Sequence, residues 1–258
     1  MDKLLLKQKL DDHYKHFDKS KISPDPLEFL HRYSDPNNIE ISGLISSVFA
    51  YGNVKQIIST LQKIHSIMND KPYDFVLSYS NKNNHFEKVK HRFYSADDIH
   101  HLFIALNKIF INNDSLKVIF LKSYHKNNGD MKKSISDFSK KICDFAKGER
   151  GISHGIKFMF PDPMKGSACK RMNLFLRWMI RKDELDFGLW NEIPTSKLII
   201  PVDTHVAQIC KKLKLTNRKN VSWKMAEEIT EKLKQFDEND PVKYDFAICH
   251  IGMRNLKF

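Results

Sequence analysis

Apolar side chains along this chain repeat at intervals of three and four, and that pattern decides most of what the chain can become. Ile41, Leu44, Ile45, Val48 and Phe49 fall on one side of a helix. The run ends at Tyr51-Gly52-Asn53, whose Gly and Asn accept the left-handed backbone of a helix terminus. Val54, Ile57, Ile58, Leu61 and Ile64 then form a second stripe, so the spacing predicts a helix, a tight polar turn and another helix. Ser95, standing before Asp98, predicts a capped helix start ahead of Leu102, Phe103, Leu106, Ile109 and Phe110. Ile135, Phe138, Ile142 and Phe145 repeat the period, while 81–91 and 125–133 are polar and read as loops. With 9 Gly and 9 Pro in 258 residues and no alternating strand pair, turn-dense β architectures are excluded. An all-α fold is expected, with two helical subdomains flanking a cleft within a single domain spanning 1–258.

The second half of the chain departs from plain helix once. Between 148 and 166 fall four Gly and two Pro, and Pro161-Asp162-Pro163 breaks helical continuity. A helix resumes over 169–182, with Met172, Phe175, Leu176 and Met179 facing one way. Placing residues at 100° intervals gathers Lys170, Asn173, Arg177 and Arg181 on the opposite face as a cationic stripe. After a loop holding Gly188 and Pro194, Asp203 is positioned to cap a helix that buries Val206, Ile209, Cys210 and Leu213. Two further helices are predicted over 222–235 and 241–251.

Charge narrows the function. Lys+Arg total 43 against 31 Asp+Glu, a formal net charge of +12, so acidic partners are attracted at long range and nucleic acid heads them. A hydrophobic share of 41% with 18 Phe is too apolar for a disordered basic tail. Cys143, Cys169, Cys210 and Cys249 lie far apart with no CxxC spacing and are read as reduced. The N-terminal Leu4-Leu5-Leu6 is too short for a signal peptide core, and the longest uncharged stretch falls short of a bilayer span. A cytoplasmic, nucleoid-associated monomer with no membrane contact is expected. The twelve histidines form no HExxH pattern, His13 and His16 read as a surface pair, and no metal site or cofactor is expected.

The run Gly166-Ser167-Ala168-Cys169-Lys170-Arg171-Met172-Asn173, followed by Pro201-Val202-Asp203-Thr204-His205-Val206, resembles the helix-hairpin-helix superfamily of DNA base-excision glycosylases. Its 8-oxoguanine and endonuclease III branches are the nearest in kind, and the whole chain is similar to an uncharacterised bacterial family of this length within it. The resemblance is most specific over 158–209, and the segment 158–214 is identified with the superfamily's catalytic helix-hairpin-helix. There a Gly-rich hairpin precedes a Lys that opens a helix, and a later Val-Asp-x-His carries the partner carboxylate. The resemblance therefore implies a bifunctional glycosylase with AP lyase activity, Lys170 its nucleophile and Asp203 its electrostatic partner. Double-stranded DNA bearing a damaged base or an abasic site is the implied partner, oxidised bases being the class that the nearest branch suggests.

The chemistry suits these residue types. Breaking an N-glycosidic bond develops positive charge on the sugar, which a carboxylate such as Asp203 stabilises. A neutral amine then attacks C1′. Lysine is a poor nucleophile near neutrality, so Lys170 needs its pKa lowered, by desolvation or by Arg171 and Arg177. A base inside a duplex must be flipped out and its gap filled. By resemblance, Tyr51 and Asn53 in the Tyr51-Gly52-Asn53 turn match the loop that enters the gap, with Tyr51 as plug. Phe187 and Trp190 are expected to sandwich the extruded base. His205 matches a phosphate-contacting position, the Gly166 and Ser167 amides bind another phosphate, and Arg171, Arg177 and Arg181 face DNA. The pattern departs from the superfamily in three places: Ala168 replaces the second hairpin Gly, Pro161-Asp162-Pro163 replaces the first hairpin helix, and 183–196 is inserted between the two motifs. The superfamily's C-terminal four-cysteine cluster is absent, so no iron–sulfur centre is expected. Two other classes fit the composition: a non-catalytic helical DNA-binding protein that kept the fold, and an RNA- or protein-binding module using the basic face.

Overall fold

A computed structural model describes residues 3–253 apart from 83, 113 and 114, with side chains described up to residue 250. The described residues form an all-helical chain: α1 Lys3–Lys15, α2 Pro36–Phe49, α3 Val54–Ile67, α4 Pro72–Ser78, α5 Ala96–Phe110, α6 Leu116–Lys126, α7 Met131–Phe145, α8 His154–Met159, α9 Lys170–Ile180, α10 Thr204–Lys212, α11 Trp223–Lys234 and α12 Asp245–Met253. Short 3₁₀ turns join several of them, and extended pairing among the described residues is limited to isolated bridges. None of these helices is long and apolar enough to cross a membrane.

The chain divides into two compact units, Ser23–Asp162 and a second assembled from Met1–Ile22 with Pro163–Phe258. In Ser23–Asp162, α2 is the central helix. Asp35 caps it by accepting from the Asn38 amide, Pro36 opens it, and its residues from Ile39 to Phe49 are buried on every side. Ser42, Gly43, Ser46 and Ser47 let neighbouring helices approach closely. The buried Glu40 carboxylate accepts the Leu116 amide at 2.9 Å and the Lys117 amide at 3.3 Å, so a side chain of α2 caps the start of α6. The Ser95–Asp98 capping box opens α5 as the sequence predicts. Asp98 also accepts from the Ser153 hydroxyl at the start of α8, and Gly155 lies against that carboxylate.

The polar stretch 125–133 is not the loop the sequence predicts. Helix α6 runs to Lys126 and α7 begins at Met131, with a turn between them in which Asn128 and Gly129 take positive φ and Asp130 caps α7. Polar residues there belong to exposed helix ends, which composition does not distinguish from a loop. In the other unit, α12 packs on α1 and α10. Phe175 and Trp190 meet edge to face at 5.2 Å, and the Trp223 amide donates to the Gly166 carbonyl at 3.0 Å, tying α11 to the hairpin before α9.

A candidate lysine–aspartate catalytic site

The turn before α9 is built to stop abruptly at Lys170. Gly166 has φ +89, and Cys169, which is not a glycine, adopts the left-handed region at φ +47 directly before the first helical residue. Ser167 Oγ accepts the Cys169 amide at 3.2 Å. From the first turn of α9 the buried Asn173 reaches back, its Nδ2 donating to the Ala168 carbonyl at 3.0 Å and its amide to the Cys169 carbonyl. These bonds fix where Lys170 leaves the backbone.

Asp203 arrives from a second helix start. As the N-cap of α10 it accepts the Val206 amide on Oδ1 at 2.9 Å, and its Oδ2 lies 2.8 Å from Lys170 Nζ. One carboxylate therefore caps a helix and pairs with the amine at once. The pair is partly accessible, with side-chain exposures of 27% for Lys170 and 34% for Asp203. Burial pulls the Lys170 pKa down, but the Asp203 carboxylate outweighs it, assisted by Cys249 and Asp245, and the net shift is upward. At Asp203 burial pushes up, while Lys170 and the Val206 and His205 amides prevail and lower it. At rest the pair is an ammonium and a carboxylate.

This corrects the expected source of activation. The Lys170 pKa is raised where nucleophilic attack needs it lowered, because the Asp203 carboxylate outweighs burial. Apart from Lys170, the cationic stripe does not face solvent either: Asn173, Arg177 and Arg181 are 1%, 2% and 3% exposed, and Arg171 beside them 8%. Arg177 donates to Asp186 Oδ1 through Nε and Nη2 at 3.3 and 3.1 Å, and to Asp245 Oδ2 at 2.5 Å. Arg181 is held by Asp240 at 2.9 Å, Asp183 at 3.0 Å and Asp186. Arg177 and Arg181 are thus internal cross-links rather than DNA contacts, and burial removes Arg171 from an exposed DNA-facing role. A buried guanidinium needs carboxylates around it, and the loop after α9 and the start of α12 supply them.

Trp190 is also placed differently from expectation. It is fully buried against Phe175, and its amide donates to the Met179 carbonyl at 2.9 Å, so it closes the end of α9 instead of stacking on a base. Phe187 is half-buried, and its amide binds the Trp178 carbonyl at 2.9 Å. The insertion 183–196 is therefore the C-terminal stop of α9. Gly166 is exposed and Ser167 half-buried beside it, while His205 is half-buried with no hydrogen-bond partner for Nε2 among the described residues.

Tyr51 and Asn53 lie in the unit Ser23–Asp162. Asn53 is the exposed N-cap of α3, accepting the Lys55 amide at 2.9 Å. Tyr51 is half-buried, its ring edge-on to His91, Tyr94 and Phe158, its hydroxyl donating to the His91 carbonyl at 3.2 Å.

Sequence reasoning missed the carboxylates Asp186 and Asp245. Asp245 carries a usable signal, since it stands one helical turn before Cys249 and so shares a face with a residue expected inside. Asp186, in a loop, carries none. Burial pushes the Asp245 carboxyl up to about 6 despite Arg177 and Lys170.

Together, fold and site define an all-helical protein in which an amine and a carboxylate meet where two helices begin. The chain belongs to the DUF2400 family of proteins of unknown function, whose profile matches residues 25–254 and so takes in both members of the pair. No curated protein and no solved structure matches it.

Proposed function

We propose that the protein is a DNA base-excision glycosylase with AP lyase activity, using Lys170 as nucleophile and Asp203 as its charge partner, within the helix-hairpin-helix superfamily that its motifs resemble. The observation that carries the proposal is the 2.8 Å approach of Lys170 Nζ to Asp203 Oδ2, across an intervening segment long enough to have kept them apart. A resting ammonium is compatible with this chemistry. Asp203 stays ionised and stabilises the positive charge developing on a bound deoxyribose, and that charge repels the Lys170 ammonium, whose proton passes to water. The neutral amine then bonds to C1′ as the C1′–N bond breaks, and the base departs with the electron pair and takes up a proton. Opening of the sugar at O4′ leaves an imine. Loss of the C2′ proton then expels the 3′ phosphate and nicks the strand.

Borohydride trapping tests this directly. The wild-type protein incubated with duplexes carrying oxidised bases or an abasic site forms a covalent adduct, and Lys170→Gln forms none. Robust trapping by Lys170→Gln would remove the assignment. The raised Lys170 pKa favours a second reading, in which the pair only joins two helix starts in a non-catalytic DNA-binding protein. That reading predicts salt-sensitive duplex binding without any adduct.

A further inference from the structure

The unit Ser23–Asp162 carries an open groove of about 510 Å³ on a different element from the lysine–aspartate pair, lined by Lys55, Gln56, Ser59, Lys90, His91 and Arg92. Its three cations are exposed, no carboxylate lines it, and none of the three has an ion-pair partner among the described residues. Lys55 and Gln56 belong to the first turn of α3, where the helix dipole adds partial positive charge. The floor is firm: His91 is buried, with Nδ1 at 3.0 Å from Thr60 Oγ1 and Nε2 at 3.3 Å from the Tyr51 carbonyl.

The rim is held in an unusual shape. Arg92 takes φ +52, a backbone conformation that a side chain of this kind rarely adopts. Its guanidinium sits 5.3 Å from the Tyr51 ring centre and 5.6 Å from that of Phe93. A Cβ on Gly52 would lie 2.6 Å from Arg92 Nη1, so a side chain there would push the guanidinium aside, and φ +101 would strain it as well. Phe93 is 62% exposed, yet it is not loose. Its amide donates to the Tyr51 hydroxyl at 3.1 Å, and its ring lies nearly parallel to Tyr51, at 13° and 6.4 Å, with Phe158 edge-on at 5.6 Å. Backbone strain and pinning of this sort hold an aromatic face out in water, against its hydrophobic preference.

We propose that this groove binds a single-stranded segment of DNA, its phosphates on Lys55, Lys90 and Arg92 and one unpaired base stacked on Phe93. Cations spread over two elements suit a chain of phosphates better than a single anion. The exposed ring suits a base whose face is free, which excludes an intact duplex stack. The inference rests on the reading above only in taking DNA as the polymer, since Lys170 and Asp203 play no part in it.

Fluorescence anisotropy with the full chain and labelled oligo(dT) tests it. Phe93→Ala weakens binding roughly 5- to 150-fold, as loss of one stacked base does, and leaves unchanged the affinity for an oligomer whose residues lack bases. Lys55→Gln combined with Lys90→Gln lowers the slope of log affinity against log salt by about 1.4, two phosphate contacts on a single strand. Oligo(dT) binding is read without any covalent adduct, so failure of the catalytic proposal leaves this result standing. The proposal is overturned if Phe93→Ala weakens both oligomers equally or neither, or if the double variant keeps the wild-type salt slope. Displacement by dTMP or inorganic phosphate at concentrations comparable to the oligomer would assign a mononucleotide or simple anion site instead. Preference for oligo(U) over oligo(dT) would overturn the assignment to DNA.

Discussion

Replacing Arg177 by Met separates an internal cross-link from a DNA contact. Arg177 is 3% exposed at the side chain and joins Asp186 and Asp245, themselves 0% and 4% exposed. Met has similar length and helix propensity, so Arg177→Met changes the ionic balance with little effect on packing. Asp186 keeps Arg181, whereas Asp245 loses its hydrogen-bonded guanidinium. Removing one partner of a buried pair costs about 3–5 kcal/mol, which for a chain of this size lowers Tm by about 6–20 °C. The pH dependence supplies a second signature. Asp245 rises from 3.8 to about 6 on folding, so the stability contributed by its proton is fully present below 3.8 and lost as pH climbs through about 6. Arg177 opposes that rise, and without it the Asp245 pKa moves further up. The Tm deficit of Arg177→Met is therefore largest near pH 7.5 and narrows toward pH 5, where the orphaned carboxyl takes a proton. Thermal melts by circular dichroism at both pH values, with DNA binding measured well below the transition, decide the matter. A variant as stable as wild type but defective in binding would refute the reasoning and restore Arg177 to the DNA-facing surface.

Asp203 has separable duties that two substitutions distinguish. Asp203→Asn keeps an N-cap side chain for α10, whereas Asp203→Ala loses it and costs about 1 kcal/mol more in urea unfolding; under the proposed glycosylase mechanism both slow base release, because both remove the carboxylate beside Lys170. Gly155→Ala drives a methyl group onto the Asp98 carboxylate at the Ser95–Asp98 capping box, and about 1–3 kcal/mol of destabilisation is expected. The same substitution at the solvent-open Gly151 meets no neighbour, so any loss there comes from its positive φ alone, and chemical denaturation of the two variants compares collision with backbone strain.

Much of the helical frame was legible in the sequence because helix starts and apolar stripes are local. Ser95 with Asp98, Asp203 before Val206, and the stripe Ile57, Leu61, Ile64 each act over one or two turns and appear where the spacing puts them. The same local rule misjudged 125–133, since exposed helix ends and loops share a polar composition. It also misjudged Arg177 and Arg181. Periodicity placed Arg177 on a face of α9, with Arg181 just past its end, but said nothing of what they meet, and three of the four carboxylates that hold them lie outside any helix. Trp190 was moved from a presumed binding surface into the core for a related reason. The carbonyls at the end of α9 need donors, and the inserted loop brings its Phe187 and Trp190 amides to them.

The sequence by itself determined that this chain would be helical, where several of its helices begin, and that a lysine and an aspartate would stand at the starts of two of them. Tertiary structure decided that the two meet at 2.8 Å, that the lysine rests as an ammonium, and that the arginine face beside it points inward. The division follows from range: hydrogen bonding and side-chain spacing act within a few residues, whereas Coulomb interaction and burial depend on which distant segments the fold brings together.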